Sequence, residues 1–224
     1  MLDLSNGENK VFTHDVKDKK NTIVAGACRF AFKDKNDKMW FATSGGGLNY
    51  LKEKDGELKI VPYERNDILA KYSKDFITSI LHKSTNEYWL ATVGSGVLKH
   101  NVKNRKTDVY DKSKGLPNNL VYGILTDRDG YLWLSTNKGL CRLDPKTGET
   151  RNYTEVDGLM SNEMNLGAYY RSISGSLYFG GIYGYNFFDP RSLTYFKREV
   201  DVIFSKFKLD QDWLVPGQVN GLMD

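Results

Sequence analysis

The stretch Gly115-Leu-Pro-Asn-Asn-Leu-Val-Tyr-Gly-Ile-Leu-Thr-Asp-Arg-Asp-Gly-Tyr-Leu-Trp-Leu-Ser-Thr-Asn-Lys-Gly-Leu140 decides the fold of this 224-residue chain. Asn119–Thr126 is rich in β-branched and aromatic residues, as an inner strand buried on both faces requires. Asp127-Arg-Asp-Gly130 then supplies a positive-φ hairpin turn. Tyr131–Thr136 reads as a second strand, Leu140–Asp144 as a third and the more polar Glu149–Thr154 as an outer fourth. Buried strands thus give way to solvated ones across one sheet.

The same pattern recurs. Lys38-Met-Trp40-Phe-Ala-Thr43 and Glu87-Tyr-Trp89-Leu-Ala-Thr92 precede it, and Ser176-Leu-Tyr178-Phe-Gly-Gly181 follows. The large rings at Trp40, Trp89, Trp133 and Tyr178 stand 49, 44 and 45 residues apart. A period of this length, at four strands per repeat, predicts an all-β chain folded as a β-propeller. Cys28–Lys33 with Met39–Thr43, Phe76–His82 with Tyr88–Thr92, and Leu166–Arg171 with Leu177–Gly181 are the matching inner pairs. The four rings are expected to fill the gaps between blades.

About four blades are predicted over residues 26–196. Residues 1–25 read as the outer strands of a preceding blade, so the chain looks like a fragment of a larger propeller. The alternative is a small closed ring in which the N-terminal strands complete the last blade.

Composition excludes more than it selects. With 32 basic and 28 acidic residues, the net charge of +4 is too mild and too interspersed to argue for nucleic acid or an anionic membrane. No segment approaches the roughly 20 apolar residues of a membrane helix. Cys28 and Cys141 form no CxxC pair, and both read as small buried hydrophobes, with a bridge between them left open. His14, His82 and His100 lack metal-ligand spacing, so neither a metal nor a cofactor is expected. Ser44-Gly-Gly-Gly47 lacks the Lys-Ser/Thr of a phosphate loop, and Asp127–Gly130 reads as hairpin chemistry, not a calcium site.

Binding is the better prospect. Loops joining second to third strands, and loops joining blade to blade, emerge on one rim of a propeller. That rim gathers Asn118, Asn119, Asn137, Lys138, Asn162, Glu163, Asn165 and Tyr183. Amides, a carboxylate and a ring suit a polyhydroxylated ligand such as an oligosaccharide. Asn118 and Asn162 read as one repeat position that caps the inter-blade turn. Asn119, Asn137, Lys138, Glu163, Asn165 and Tyr183 are therefore the candidate ligand-binding residues, with Lys138 and Tyr183, which vary between copies, as specificity determinants. No catalytic residue is assigned. A carbohydrate-active propeller would need paired carboxylates at this mouth, where Glu163 is the one clear acid. A protein-binding scaffold would need a large apolar rim patch, for which Val93, Ile182 and Tyr183 are the contributors.

Gly115–Val121, Asp127–Thr136, Lys138–Pro145, Asp157–Glu163 and Tyr178–Pro190 together resemble the two-component regulator propeller of bacterial sensor proteins. The resemblance covers about residues 1–190. It implies a non-catalytic sensory segment on the periplasmic side of the inner membrane, relaying ligand binding to a kinase or cyclase elsewhere in the parent protein. It also implies homodimerisation through other parts of that protein, with no nucleic-acid or membrane contact here. In the family an immunoglobulin-like β-sandwich follows, and residues 197–224 are expected to begin it, Val200–Leu209 being the first strand.

Overall fold

The computed structural model describes residues 28–43, 47–54, 56–63 and 76–193, the isolated positions 11, 12, 17 and 23, and two short strands beyond residue 206. The chain divides into two units, Met1–Ser192 and Leu193–Asp224. The described strands of the first unit form four antiparallel sheets. The first runs β1 (Cys28–Lys33), β2 (Met39–Thr43), β3 (Gly47–Lys54), β4 (Glu57–Pro62), and the second β5 (Phe76–Ser84), β6 (Glu87–Val93), β7 (Val97–Asn101), β8 (Lys106–Tyr110). The third runs β9 (Val121–Thr126), β10 (Leu132–Thr136), β11 (Gly139–Leu143), β12 (Thr150–Tyr153), and the fourth β13 (Met164–Arg171), β14 (Leu177–Gly181), β15 (Gly184–Phe188). Each sheet is a meander of sequential neighbours, and the inner strands β1, β5, β9 and β13 approach one another in succession. This is the predicted propeller. Its fourth blade has three strands, not four, among the described residues. The second unit contributes a hairpin, β16 (Phe207–Leu209) with β17 (Asp212–Leu214). The partial blade expected over residues 1–25 lies almost wholly outside the described residues.

The aromatic repeat is a register repeat. Trp40 pairs with Phe32 and Tyr50, Trp89 with Leu81 and Lys99, Trp133 with Leu125 and Arg142, and Tyr178 with Tyr170 and Phe187. Each ring therefore occupies the same place on its second strand. Trp40 meets Tyr88 of the second blade at 5.5 Å, and Trp133 meets Phe188 of the fourth at 4.9 Å between ring centroids. Trp89 joins Val121, Ile124, Leu132 and Leu134 in the core between the second and third blades. All three indoles are buried, and rings of this size dominate core energetics through the area they remove from water. The same face of the fourth blade is open, where Tyr170, Tyr185 and Phe187 are exposed.

Polar groups tie each ring to its own hairpin. Asp127 Oδ1 accepts the Asp129 and Tyr131 amides, and its Oδ2 accepts the Trp133 indole N–H at 2.8 Å. Asp34 repeats this with Asn36, Lys38 and Trp40, and accepts the Tyr88 hydroxyl at 2.6 Å as well. The acidic turn thus serves the hairpin, as the sequence suggested. Burial pushes the Asp34 carboxyl up, but its four donors outweigh burial and hold it below the ordinary value of 3.8. A carboxylate with a depressed folded-state pKa contributes stability that is present above the unfolded value and lost as pH falls through the folded one. Asp34→Asn should therefore cost about 1–3 kcal/mol at neutral pH by leaving buried donors unmatched. The gap in thermal midpoint between variant and wild type should shrink on acidification below about pH 3.8. A gap of constant size from pH 7 to pH 3 would contradict this role.

Neighbouring blades are stitched along both rims. On the rim of first-to-second strand turns, Lys35 Nζ donates to the Lys83 carbonyl (3.4 Å), Lys83 Nζ to the Gly130 carbonyl (2.5 Å) and Arg128 Nη2 to the Ile173 carbonyl (3.2 Å). On the opposite rim, the Gly94 and Gly96 amides donate to the Asn119 carbonyl, and the Gly139 amide to that of Asn162. Gly139 has φ 93, and a Cβ there would collide with the Tyr153 carbonyl oxygen. Near the axis, Gly123 of β9 leaves room for the Tyr169 ring of β13.

Two expectations about small groups need correction or completion. Cys141 is buried, but Cys28 is exposed, because its strand β1 borders no preceding blade among the described residues. Both thiols are free, and burial pushes that of Cys141 up to about 12. His82 and His100 are buried and hydrogen-bonded, His82 Nδ1 accepting the Lys35 amide and His100 meeting Tyr63 and Thr107. His14 lies outside the described residues.

Candidate functional site

The two described inter-blade loops follow one local recipe. Each leaves an outer strand through a single 3-10 turn, Lys112–Lys114 or Glu155–Asp157, and closes it with a left-handed glycine, Gly115 (φ 91) or Gly158 (φ 102). An asparagine side chain then seals the loop: Asn119 Oδ1 accepts the Lys112 amide, and Asn162 Oδ1 the Glu155 amide, each at 2.9 Å. The equivalent pair is therefore Asn119 and Asn162, not Asn118 and Asn162. Asn118 corresponds to Ser161, and both cap an amide two residues on. The offset escaped the sequence reading because Asn118 and Asn119 are adjacent and alike, and only the seven-residue backward bond separates them.

This construction draws most of the candidates together. The Gly139 amide bonds to the Asn162 carbonyl, and the Ile182 amide to that of Glu163 at 3.3 Å. The Asn137–Lys138 turn, Glu163 and the Ile182–Tyr183 turn thus form one crown over the third and fourth blades. Lys138 and Glu163 are exposed, and Tyr183 is 72% exposed. Burial raises the Tyr122 phenol pKa, and the nearby Glu163 charge raises it further, so Glu163 belongs to the field above β9. Asn137 Oδ1 is buried with no hydrogen-bond partner among the described residues. A buried acceptor in that state calls for a donor from a ligand or an ordered water.

Asn165 is exposed at the start of β13, where the ladder to β14 shifts register between Met164 and Tyr169. Asn119 stands apart, one blade back, with its carboxamide oxygen committed to its loop. Met160 and Leu166, both exposed on the same rim, were not among the predicted residues. Apolar exposure at isolated positions carries no periodic signal.

A second concavity was not anticipated. A cleft of about 540 Å³ opens on the opposite rim between the second and third blades, lined by Lys83, Glu87, Lys99, Asp129, Tyr131 and Lys146 among others. Among the described residues no cluster of His, Cys, Asp and Glu is suited to a metal ion, and no helix is long and apolar enough to cross a membrane.

Comparison with known proteins agrees with the resemblance carried by the repeats. The family model described as two component regulator propeller matches residues 115–138. The chain is 25% identical over 196 residues to histidine kinase P4 of Formosa agariphila, an alignment covering 85% of this chain and 14% of that protein. In structure it is similar to the extracellular domain of a B. thetaiotaomicron protein, BT4673, described as a hybrid two component system. The TM-score is 0.66 at 18% identity, over 92% of this chain and 26% of that one. It is also similar to PorZ, a surface component of the type-IX secretion system of Porphyromonas gingivalis, with a TM-score of 0.59, 15% identity and 84% and 28% coverage. These structural likenesses establish the propeller fold. The chain spans about a seventh of the kinase and about a quarter of the solved chains.

Proposed function

We propose that this chain is a non-catalytic sensory propeller segment whose crown over the third and fourth blades binds a polyhydroxylated ligand, an oligosaccharide, on the extracytoplasmic side of a bacterial inner membrane. Ligand binding is relayed to a kinase or cyclase elsewhere in the parent protein, which dimerises through its other parts. The two-component regulator motif at residues 115–138 supports the sensory role, as does similarity to a protein named histidine kinase. The observation that carries the ligand class is the unmatched Asn137 Oδ1, on the turn beside Lys138 whose Gly139 amide bonds to the Asn162 carbonyl, next to Glu163, which in turn accepts the Ile182 amide. Sugar hydroxyls donate to amide and carboxylate oxygens, and the sugar's C–H face packs on a tyrosine ring.

Calorimetric titration of an oligosaccharide panel tests this. A saccharide that binds the wild type should bind Tyr183→Ala about five to ten times more weakly, a loss of roughly 1–1.4 kcal/mol for one ring contact. Indifference of every binding saccharide to both Tyr183→Ala and Glu163→Gln would remove the crown as the site. A protein-binding scaffold is the second reading, favoured by the exposed Met160, Leu166, Ile182 and Tyr183 on this rim.

A further inference from the structure

The second blade breaks the repeat at one informative place. Six residues before the ring, where the first and third blades have Asp34 and Asp127, the second has Lys83. The carboxylate that would bind the Trp89 indole is absent, and Glu87 Oε1 takes that N–H instead, at 2.7 Å. Lys83 is thereby released from its own hairpin and reaches across the gap, where Nζ donates to the Gly130 carbonyl. An ammonium has three donors, and that carbonyl is the one hydrogen-bond acceptor Lys83 has among the described residues. Burial pushes the Lys83 ammonium pKa down, although Glu87, Asp127 and Asp144 pull the other way.

Lys83 lines the cleft between the second and third blades, whose 540 Å³ or so falls within the range of small-molecule sites. Its walls divide by chemistry. Lys99 is held by Glu87 at 3.5 Å and by the Pro145 carbonyl, so it shapes the wall. Lys83 and Lys146 offer ammonium donors, while Asp129 and Asp144 offer carboxylate acceptors. Tyr131 adds a ring, steadied by Arg142 at 4.5 Å from its centroid. Cations beside acceptors and a ring match a molecule carrying an anionic group and hydroxyls on a compact frame.

We propose that this cleft is a binding site for a small acidic sugar, its carboxylate placed on Lys83 and Lys146, its hydroxyls on Asp129 and Asp144, and its ring against Tyr131. The site is separate from the crown and does not depend on it. Glucuronate and its neutral counterpart glucose, titrated into the 224-residue chain by calorimetry, provide the test. Glucuronate should bind at least about tenfold more tightly than glucose, and Lys146→Met should weaken it about tenfold, or 1.4 kcal/mol. Lys83→Met should do the same. Because Lys83 also links two blades, the exposed Lys146 keeps the test valid if the Lys83 variant misfolds. Tyr183→Ala should leave glucuronate binding unchanged. Equal binding of glucose and glucuronate, wild-type affinity in Lys146→Met, or loss of binding in Tyr183→Ala alone would each overturn the assignment.

Discussion

Trp133→Ala should destabilise the chain by about 3–5 kcal/mol, the range for deleting a buried aromatic from a packed core. The indole is 1% exposed, stacks on Tyr153 at 5.3 Å and meets Phe188 of the next blade. Its loss opens a cavity between blades and also strips Asp127 of its indole donor. In a unit of this size each kcal/mol moves the thermal midpoint by about 2–4 °C, so a drop of roughly 6–20 °C is expected in a calorimetric scan. Tyr178→Ala, at the equivalent position on the open face of the fourth blade, should cost far less. Similar drops for the two variants would show that the rings do not stabilise by filling the gap between blades.

Gly139→Ala should be nearly as damaging, although it adds a single methyl group. The residue has φ 93, and its Cβ would run into the Tyr153 carbonyl oxygen, a backbone atom that cannot rotate away. Backbone strain of about 1–3 kcal/mol combines with an overpacking cost of similar size. The same position donates the amide that meets the Asn162 carbonyl, so displacement also loosens the third blade from the loop that leads to the fourth. Gly158→Ala is the control, since a Cβ there meets nothing within 4 Å although φ is 102. Chemical denaturation should therefore show Gly139→Ala losing more stability than Gly158→Ala, and equal losses would leave strain as the sole cause.

The blades were legible because period and alternation survive without knowledge of tertiary contacts. Met39–Thr43 and Cys28–Lys33 were placed to the residue, and the rings at Trp40, Trp89 and Trp133 are buried where one ring per blade demands. What single-chain pattern cannot carry is geometry that depends on a bond between loops. Asn118 and Asn119 differ in role only through the reach of Asn119 to Lys112. The exposure of Cys28 depends on which strands flank β1. The crown was drawn from topology, so Asn137, Lys138, Glu163 and Tyr183 fell together, while Asn119 fell one blade short. The cleft was missed for the opposite reason. Lys83 looks like any surface lysine until the repeat is aligned on its tryptophan, and only then does the missing carboxylate stand out.

The chain of basic side chains along the turn rim has a further consequence. Lys35, Lys83 and Arg128 each lean onto a carbonyl roughly one repeat further along the sequence, and all lean the same way. Their acceptors are backbone oxygens, whose dipoles require no second charge held in register, so each link joins one blade to its immediate successor and to nothing beyond. Cohesion along this rim then adds up pairwise, as in stacked-repeat proteins. A ligand wedged at one junction would tighten or loosen that junction first, and its effect would travel outward blade by blade, in file order.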